Sequence, residues 1–338
     1  MSNRILITGA SGTVGYAALS MLVDQGVHEI IVFDLETKKS KKLLEKYKSR
    51  VKLIYGDISN KDNIEKACSN IDVVIHLAAI IPPLADDNPE LAHRVNVTGT
   101  KNLVESLDKK SPQAFLIYSS SVAIYGDRLK NPDIYTTDPL EPSLGDEYAK
   151  TKIEAEQIIQ DSQLKWTIFR LSAIMGSHNH EVGKLMFHMP LNTPMEIATP
   201  EDTGRAFMNA INHMQELDHS IFNLGGGNTC RIIYRDFLSE SFKISGLGEL
   251  DFPEYSFAEK NFHCGYYDDG DKLEEIIKFR KESMDSYFST LKKETNFFKK
   301  LITMLFKKQI KKMLLSKSEP YEAKLENNTA LINRFFDN

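Results

Sequence analysis

The stretch 146–156, "DEYAKTKIEAE", contains the pair of residues whose types and spacing best fit catalysis. Tyr148 and Lys152 are four residues apart, so in a helix their side chains lie on one face. A free phenol has a pKa of ~10, and a neighbouring ammonium would stabilise the phenolate and lower that pKa toward the working pH. Such a pair can give or take a proton on a substrate hydroxyl or carbonyl. The same residues also fit a solvated helix surface, so the rest of the chain must decide.

Alternating strand and helix patterns in the first 230 residues would position this pair. Continuous apolar runs predict buried strands at 4–10, 29–34, 51–57, 72–79, 113–120, 166–172 and 220–227. Helical patterns lie between most of them, at 13–26, 60–69, 88–108, 148–160 and 201–214. Buried strands that alternate with helices indicate a parallel sheet covered on both faces. The predicted fold class is therefore α/β, with a Rossmann-type doubly wound parallel sheet.

The turn between the first strand and the first helix has the spacing of a phosphate-binding loop. In "TGASGTVG", Gly9, Gly12 and Gly15 follow the strand directly and lead into the helix. Such a loop lets backbone N–H groups approach a pyrophosphate at the helix N-terminus. Three glycines alone are a weak signal, and a plain strand-to-helix turn is the alternative.

The end of the second strand adds to the nucleotide prediction. Asp34 lies 19 residues after Gly15, where a carboxylate can accept hydrogen bonds from the adenosine ribose. Its charge repels a 2′-phosphate and so favours NAD, although Lys38 and Lys39 leave NADP open. A solvated turn acid is the alternative for Asp34.

These pieces and several others occur in the order found in one enzyme family. "TGASGTVG", "GDISN", "HLAA", "NVTGT", "YSSSVAIYG" and "YAKTK" follow one another between residues 3 and 235. Together they resemble the extended short-chain dehydrogenase/reductase family, in its NAD-dependent epimerase/dehydratase group. The combination is specific, although no single piece is.

The resemblance implies a role for each matching residue. Ser121 would position the substrate oxygen, Tyr148 would transfer the proton, and Lys152 would also hold the nicotinamide ribose. The residues expected to bind the cofactor are Gly9, Ser11, Gly12, Thr13, Val14, Gly15, Asp34, Asp57, Ile58, Leu77, Ala78, Ala79, Asn96, Ser119, Tyr148, Lys152 and Leu171. Asn96 has an equal alternative as a hydrogen bonder at a helix terminus, and Arg170 is expected to be structural.

The reaction expected from the resemblance is hydride transfer at a secondary alcohol or ketone of a sugar or nucleotide sugar. Family members that dehydrate sugars carry an acidic pair after the catalytic hydroxyl, where this chain has Val122 and Ala123. Epimerisation and simple oxidoreduction remain. The alternatives are an NAD(P)H-dependent ketone reductase acting on a smaller or lipid-linked substrate, and a non-catalytic dinucleotide-binding sensor.

Two departures from the family pattern leave the substrate open. Leu171 stands where the family usually has proline, and only about 20 residues follow Gly176 before "ATPEDTGRAF". Nucleotide-sugar enzymes commonly have a longer insertion there. In this segment Lys184, Phe187 and His188 are weak candidates for substrate contact. No metal site is predicted, because the histidines of the segment, His178, His180 and His188, lack a companion carboxylate cluster.

The length, composition and cysteine count are those expected of a cytoplasmic protein of about two domains. The chain has 338 residues, 41% hydrophobic and 26% charged, and its three cysteines show neither metal-ligand nor disulfide spacing. We expect a Rossmann core at 1–172, completed by about 198–228. A small substrate-binding lobe is expected at 173–197 and 229–290, and a basic extension at 291–338. No signal peptide is expected, because the N-terminus runs straight into a strand. The resemblance also makes a homodimer an expectation.

The C-terminal extension has a composition unlike the rest. Residues 291–317 carry nine lysines and one glutamate, so within a net charge of −5 the remainder of the chain carries −13. In 297–317 a helical pattern gathers Phe298, Leu301, Ile302, Leu305, Phe306, Ile310 and Met313 opposite Lys300, Lys307, Lys308 and Lys311. Three interpretations stay open: a docked helix, a peripheral contact with the inner face of an anionic membrane, or a protein contact. Nucleic acid is not expected, because the body is acidic.

Overall fold

Seven parallel strands form the central sheet of the computed structural model, which describes residues 2–176 and 183–337. The described residues form twelve strands in three sheets: β1 (Arg4–Thr8), β2 (Glu29–Asp34), β3 (Lys52–Tyr55), β4 (Val73–His76), β5 (Phe115–Ser121), β6 (Asp133–Ile134), β7 (Lys165–Leu171), β8 (Ala173–Ile174), β9 (Pro194–Ala198), β10 (Ser220–Leu224), β11 (Arg231–Ile233) and β12 (Tyr266–Tyr267). The order in the central sheet is β10-β7-β5-β4-β1-β2-β3. The predicted Rossmann-type fold is confirmed.

Helices cover both faces of this sheet and build the C-terminal part. They are α1 (Thr13–Gln25), α2 (Lys38–Leu44), α3 (Lys61–Ile64), α4 (Leu84–Asp87), α5 (Pro89–His93), α6 (Gly99–Lys110), α7 (Glu147–Gln160), α8 (Leu185–His188), α9 (Pro200–Ala210), α10 (Met214–Leu217), α11 (Tyr234–Ser245), α12 (Asp271–Ile277), α13 (Met284–Glu294), α14 (Phe297–Leu305), α15 (Lys307–Leu315), α16 (Glu319–Leu325) and α17 (Thr329–Phe335). Short 3₁₀ turns occupy Glu45–Tyr47, Glu65–Ala67, Val122–Tyr125 and Asn228–Cys230, and a π-helical turn occupies Arg94–Thr98.

Two buried apolar clusters hold the helices against the sheet. One face carries β-strand residues such as Ile5 and Val32 packed with α1 and α9, and the other carries Leu6 and Val74 packed with α6 and α7. Gly204 of α9 lies so close to α1 that an added Cβ would stand 2.8 Å from its backbone. Helix α9 and strand β10 lie later in the sequence than the other strands of the central sheet, and they complete this sheet and its helix layer.

A third apolar cluster lies outside the central sheet. It surrounds the three-stranded sheet β11-β9-β8 and includes Met175, Phe187, Ile197 and Phe237. Leu314 of α15 also belongs to it, so part of the C-terminal extension packs into this lobe. Conversely, Leu273 and Ile277 of α12 pack into the cluster of the central sheet, although α12 lies within the range expected for the lobe.

Some helices differ from the sequence patterns at their ends. The helix expected at 88–108 is divided into α5, the π-helical turn and α6, and the one expected at 60–69 is α3 followed by a 3₁₀ turn. The helical pattern of 297–317 is divided at Phe306, whose backbone (φ −107°, ψ 17°) separates α14 from α15. Helix α1 does end at Gly26, which takes the left-handed conformation with φ 66°.

The described residues contain neither a membrane-spanning helix nor a metal-binding group. No helix in 2–176 or 183–337 is long and apolar enough to cross a lipid bilayer. In the same residues, no three His, Cys, Asp or Glu side chains are grouped to hold a metal ion. His178 and His180 lie outside them. All three cysteines are buried and free.

Candidate active site

The candidate site lies at the carboxyl edge of the central sheet, where the loops after β1, β4 and β5 meet the N-termini of α1 and α7. Ser121 is the last residue of β5, and Tyr148 is the second residue of α7. Ligands of open α/β sheets bind at this edge, because parallel strands point their last residues toward one crevice. The fold thus brings together a serine and a tyrosine that are 27 residues apart in sequence.

Ser121, Tyr148 and Lys152 form one connected group. The Ser121 hydroxyl lies beside the Tyr148 hydroxyl and acts to lower its pKa. The Lys152 ammonium donates to the Ser119 carbonyl oxygen at 2.7 Å and lies 5.7 Å from the centroid of the Tyr148 ring. Lys152 is only 2% exposed, and Tyr148 keeps part of its surface open. The opening residues of α7 thus present a phenol toward the crevice with an ammonium behind it.

The acid–base properties of this group differ from the expectation in one respect. The pKa of Tyr148 is raised, because burial outweighs the hydrogen bond with Ser121 and the Asp146 carboxylate acts in the same direction as burial. Burial lowers the pKa of Lys152 to about 7, against the opposing charge of Glu156. In the protein alone, the lysine therefore does not bring the phenol to a low pKa. Instead, it is itself poised near neutral pH.

A buried ion pair beneath Lys152 holds α7 against the sheet. Both carboxylate oxygens of Glu156 accept from the Arg170 guanidinium, at 2.8 and 3.0 Å, and both side chains are almost fully buried. Arg170 also donates to the Tyr125 hydroxyl at 2.8 Å. Arg170 is thus structural, as expected. Glu156 was missed, although its spacing of four residues after Lys152 was visible in the sequence.

The N-terminus of α7 is fixed by two acidic residues. The Asp146 carboxylate accepts from the Ala149 N–H at 2.8 Å and pairs with His263 at 2.8 Å. Burial would raise the pKa of Asp146, but the His263 charge and hydrogen bonds bring it below its usual value. Asp86 lies beside the backbone N–H groups of Glu147 and Tyr148, which oppose the rise in its pKa that burial causes. Sequence reasoning missed Asp86 and His263, since nothing local in the sequence links them to Tyr148.

The glycine loop has the close contacts that a phosphate cradle requires. Gly9 has a φ of 72°, and an added Cβ would stand 2.7 Å from the Ala78 backbone. An added Cβ at Gly15 would stand 2.3 Å from the Gly9 carbonyl oxygen. Gly12 and Thr13 at the start of α1 are exposed, and Ser11 and Val14 are partly exposed. The N–H groups at the start of α1 are therefore accessible to an anion.

Asp34 is joined to this loop. Its carboxylate accepts from the Ser11 N–H at 2.7 Å and from the Ser11 hydroxyl at 2.9 Å. Burial raises the pKa of Asp34, and the hydrogen bonds from Ser11 oppose the rise. The predicted ribose acceptor therefore lies against the predicted phosphate loop, and in the protein alone it also holds that loop.

The expected adenine-contacting turn is built by local hydrogen bonds. Asp57 accepts from the Ser59 N–H and hydroxyl at 2.9 and 2.7 Å and stays partly exposed. Ile58 is 5% exposed and packs against Gly99 at the start of α6. Asn102 donates to the Ile58 carbonyl oxygen at 3.1 Å. Asp57 can thus face a nucleotide, while the side chain of Ile58 mainly belongs to the core.

The segment after β4 lies beside the glycine loop. Leu77, Ala78 and Ala79 are partly exposed. Asn96 is 1% exposed, accepts from the Ile80 N–H at 2.7 Å and donates to the Ile80 carbonyl and the Thr151 hydroxyl, each at 2.9 Å. It lies in the π-helical turn and ties this segment to α7. The geometry favours the structural alternative for Asn96.

Two further predicted contacts lie at strand ends. Ser119 is 6% exposed, donates to the His76 carbonyl oxygen at 3.3 Å and provides the acceptor for Lys152. Leu171 ends β7, pairs with Ser121 in register and is 9% exposed. Both residues therefore support the site mainly from behind, with little free surface.

The weak substrate candidates of the lobe have other partners. Phe187 is fully buried in the third apolar cluster. Lys184 and His188 both pair with Glu319 of α16, and Lys184 also pairs with Asp87. A pocket beside Asp146 is lined by residues from several separate segments of the chain, among them Asp86, His188, His263, Arg334 and Phe335. Arg334 and Phe335 of α17 could not be assigned to this pocket from sequence.

The fold places the glycine loop and the Ser121, Tyr148 and Lys152 group at the same edge of the central sheet. Residues 5–194 match the model of the "NAD dependent epimerase/dehydratase family". Because the match covers more than half of the chain, the protein belongs to that family. The enzyme class and the NAD cofactor predicted from the sequence are confirmed at this level.

The names of similar proteins refer to steroids and to sugars. The chain is 29% identical over 162 residues to mouse 3 beta-hydroxysteroid dehydrogenase type 7, covering 46% of this chain and 44% of that protein. It is 30% identical over 186 residues to N-acetyl-alpha-D-glucosaminyl-diphospho-ditrans,octacis-undecaprenol 4-epimerase of Escherichia coli O157:H7, covering 53% and 51%. The chain thus spans about half the length of the curated relatives it matches.

A solved structure shares the fold over most of the chain. UDP-glucuronic acid 4-epimerase from Bacillus cereus, solved with UDP-glucuronic acid and NAD, aligns with a TM-score of 0.71 at 20% identity. The alignment covers 87% of this chain and 99% of that one.

Proposed function

We propose that this enzyme oxidises a secondary alcohol, or reduces the matching ketone, by hydride transfer at Ser121, Tyr148 and Lys152. The observation that supports this most is the connection of the three side chains at the sheet edge beside the glycine loop. The Ser121 hydroxyl lies beside the Tyr148 hydroxyl and acts to lower its pKa, and Lys152 lies 5.7 Å from the Tyr148 ring. A nucleotide sensor would not need this hydroxyl–hydroxyl–ammonium group.

Each of the three residues has a separate task in the proposal. The Ser121 hydroxyl donates a hydrogen bond to the substrate oxygen and fixes its position. Tyr148 moves the proton between its own oxygen and the substrate oxygen, which general acid–base catalysis requires. Lys152 holds a positive charge behind the phenol, and its pKa of about 7 lets it supply or accept a proton near neutral pH.

The cofactor would be held by residues of the loop between β1 and α1 and by the residue at the end of β2. NAD, when bound, accepts or donates the hydride, so the chain supplies binding, orientation and proton transfer. The N–H groups around Gly12 and Thr13 would bind the pyrophosphate. The carboxylate of Asp34 would accept from the adenosine ribose, and Asp57 would lie at the adenine end.

The proposed substrate is a sugar or nucleotide sugar. Two of the similar proteins act on such compounds by their names, one on a lipid-linked aminosugar and one on UDP-glucuronic acid. A second candidate is an alcohol that partitions into membranes, as the steroid enzyme among the relatives suggests. The exposed apolar helix α14 favours this second candidate. The cytoplasmic location, the homodimer and the domain limits at 172 and 290 remain predictions.

The test is a substrate panel with added NAD, consisting of UDP-glucose, UDP-glucuronic acid, a polyprenyl-diphosphate aminosugar and a 3β-hydroxysteroid. Net formation of NADH identifies a dehydrogenase. An epimer seen by NMR without net NADH identifies internal hydride return. Tyr148→Phe must abolish either signal, while Tyr255→Phe, an exposed tyrosine far along the chain, must not. Unaltered turnover by Tyr148→Phe would overturn the proposal, and tight NAD binding with no turnover of any substrate would favour the sensor.

A further inference from the structure

Exposed apolar side chains are concentrated in one short stretch of the chain. Sixteen large hydrophobic residues are exposed in the described ranges, and eight of them fall between residues 297 and 313. These eight are Phe297, Phe298, Leu301, Ile302, Met304, Leu305, Phe306 and Met313. A contiguous exposed apolar surface of this kind usually marks an interaction site.

Helix α14 has the reverse of the usual orientation. A surface helix normally turns its apolar side to the core and its polar side to solvent. In α14 no residue is buried, Phe297 and Phe298 are each 72% exposed, and Leu305 is 71% exposed. The partly covered residues are Lys300 and Thr303. The helix rests on the end of α11 at Gly246, which contacts the backbone of Lys300 and the side chain of Met304.

Helix α15 shows that the extension is nonetheless anchored. Leu314 is 4% exposed in the third apolar cluster, and Ile310 packs against the same cluster. Lys311 forms an ion pair with Asp251. The extension is therefore fixed to the substrate lobe by α15, while α14 presents its apolar side outward from that lobe.

The charge within this stretch of the sequence has one sign. Between Thr295 and Ser318 the chain has seven lysines and neither aspartate nor glutamate. The lysines that are exposed are Lys299, Lys307, Lys308, Lys312 and Lys317. A surface that combines an outward apolar helix with lysines complements a partner that is apolar beneath an anionic layer, which describes a bilayer containing acidic lipids.

We propose that α14 and the lysines of α15 dock the enzyme peripherally on an anionic lipid bilayer. The nine residues of α14 are too few to span a bilayer, so the helix would lie in the headgroup region with Phe298, Leu301, Ile302 and Leu305 inserted. The lysines would contact the lipid phosphates. The docking surface belongs to the substrate lobe, so this lobe would face the membrane. The proposal does not depend on which alcohol the enzyme oxidises.

The experiment is flotation of the full chain with two kinds of vesicle. One contains phosphatidylcholine alone, and the other contains equal parts of phosphatidylcholine and phosphatidylglycerol. We expect binding to the anionic vesicles that weakens as salt rises, and little binding to the neutral ones.

Two pairs of variants separate the apolar and charged contributions. Phe298→Ser/Leu305→Ser should weaken binding to anionic vesicles at least about a hundredfold, because two large side chains no longer enter the bilayer. Its control is Val27→Ser/Leu325→Ser, which removes two apolar side chains exposed elsewhere. Lys308→Gln/Lys312→Gln should weaken binding about fivefold per lysine, with Lys165→Gln/Lys272→Gln as the matched control on other exposed lysines.

A spectroscopic readout locates the helix in the bound state. The chain has a single tryptophan, Trp166, which is 6% exposed, so Phe298→Trp adds a reporter at the surface. Its emission should shift to the blue and be quenched by brominated lipid in anionic vesicles only. Absence of binding to anionic vesicles, or equal loss in the control variants, would overturn the proposal. Self-association that disappears in Phe298→Ser/Leu305→Ser without vesicles would instead assign the surface to a second copy.

Discussion

Helices α7 and α14 both break the rule that a surface helix buries apolar and exposes polar side chains, and they do so in opposite directions. Helix α7 buries Lys152 and Glu156, at 2% and 1% exposure, and both have a partner within the chain. Helix α14 exposes Phe297 and Phe298 at 72% each. A buried charge must be partnered inside the fold, whereas an exposed apolar surface gains only from something outside it.

The difference between the helices separates two kinds of function. In α7 the buried charges already have partners inside the protein, namely the ion pair and the carbonyl acceptor, before any ligand binds. These partners organise a reaction site. In α14 the apolar side chains face solvent, because α15 and Gly246 hold the helix with its apolar side turned away from the described protein. Substitutions at the site and buried positions of α7 should therefore change chemistry or stability, and substitutions at the exposed apolar positions of α14 should change neither.

The largest expected effect is on turnover, through Tyr148 of α7. Tyr148→Phe removes the proton-transferring hydroxyl and should lower kcat about a hundredfold to ten-thousandfold while NAD still binds. Steady-state kinetics and NAD titration by calorimetry measure the two quantities. Loss of NAD affinity together with kcat would mean that Tyr148 serves mainly to hold the cofactor site.

The next effect concerns the buried ion pair of α7. Glu156→Gln leaves the Arg170 charge buried without its carboxylate and should lower the free energy of unfolding by about 3–5 kcal/mol. Glu154→Gln, on the exposed side of the same helix, should change it by less than about 0.5 kcal/mol. Urea unfolding of both variants makes the comparison. Equal effects would show that the pair does not anchor the helix.

The extension provides a matched pair of its own. Leu314→Ala in α15 opens a cavity in the third apolar cluster and should cost about 2–5 kcal/mol of unfolding free energy. Leu305→Ala in α14 should cost almost nothing, since Leu305 is 71% exposed. Thermal unfolding of the two variants without lipid measures both losses of stability. A large loss in Leu305→Ala would mean that α14 is covered in solution, contrary to its open orientation.

The most gradual expected effect is a dependence of stability on pH. Burial lowers the pKa of Lys152 to about 7, so above that pH the unfolded chain binds one proton more than the folded chain. The free energy of unfolding should therefore rise from about pH 7 toward the ordinary pKa of lysine, by at most about 1.4 kcal/mol per pH unit. Lys152→Met should remove this rise in the chain purified without nucleotide. Lys150→Met, on the exposed side of α7, should keep it; a rise that persists in Lys152→Met contradicts the assignment.

The two helices also show which structural features could be predicted from the sequence and which could not. The central sheet followed from apolar runs, because strands buried on both faces leave a continuous pattern. The Ser121, Tyr148 and Lys152 group followed from spacing and family resemblance. Asp86, His263 and Arg334 did not, because each reaches α7 or its pocket from a separate part of the chain.

The pattern of the extension gave its amphipathic character but not its orientation. Periodicity shows that one side of a helix is apolar without showing which side meets the protein. It also could not reveal the break at Phe306 that lets α15 dock normally while α14 does not. In the same way, the Tyr148–Lys152 spacing placed both side chains on one face, but burial decided the direction of both pKa shifts.

A crystal structure of the protein with NAD tests the central claim most directly. We expect the pyrophosphate to lie on the N–H groups at Gly12 and Thr13 and Asp34 to accept from the adenosine ribose. The C4 atom of the nicotinamide should then face the Ser121 and Tyr148 hydroxyls across a space large enough for one substrate carbon. A nicotinamide ring separated from Tyr148 by intervening protein would contradict it.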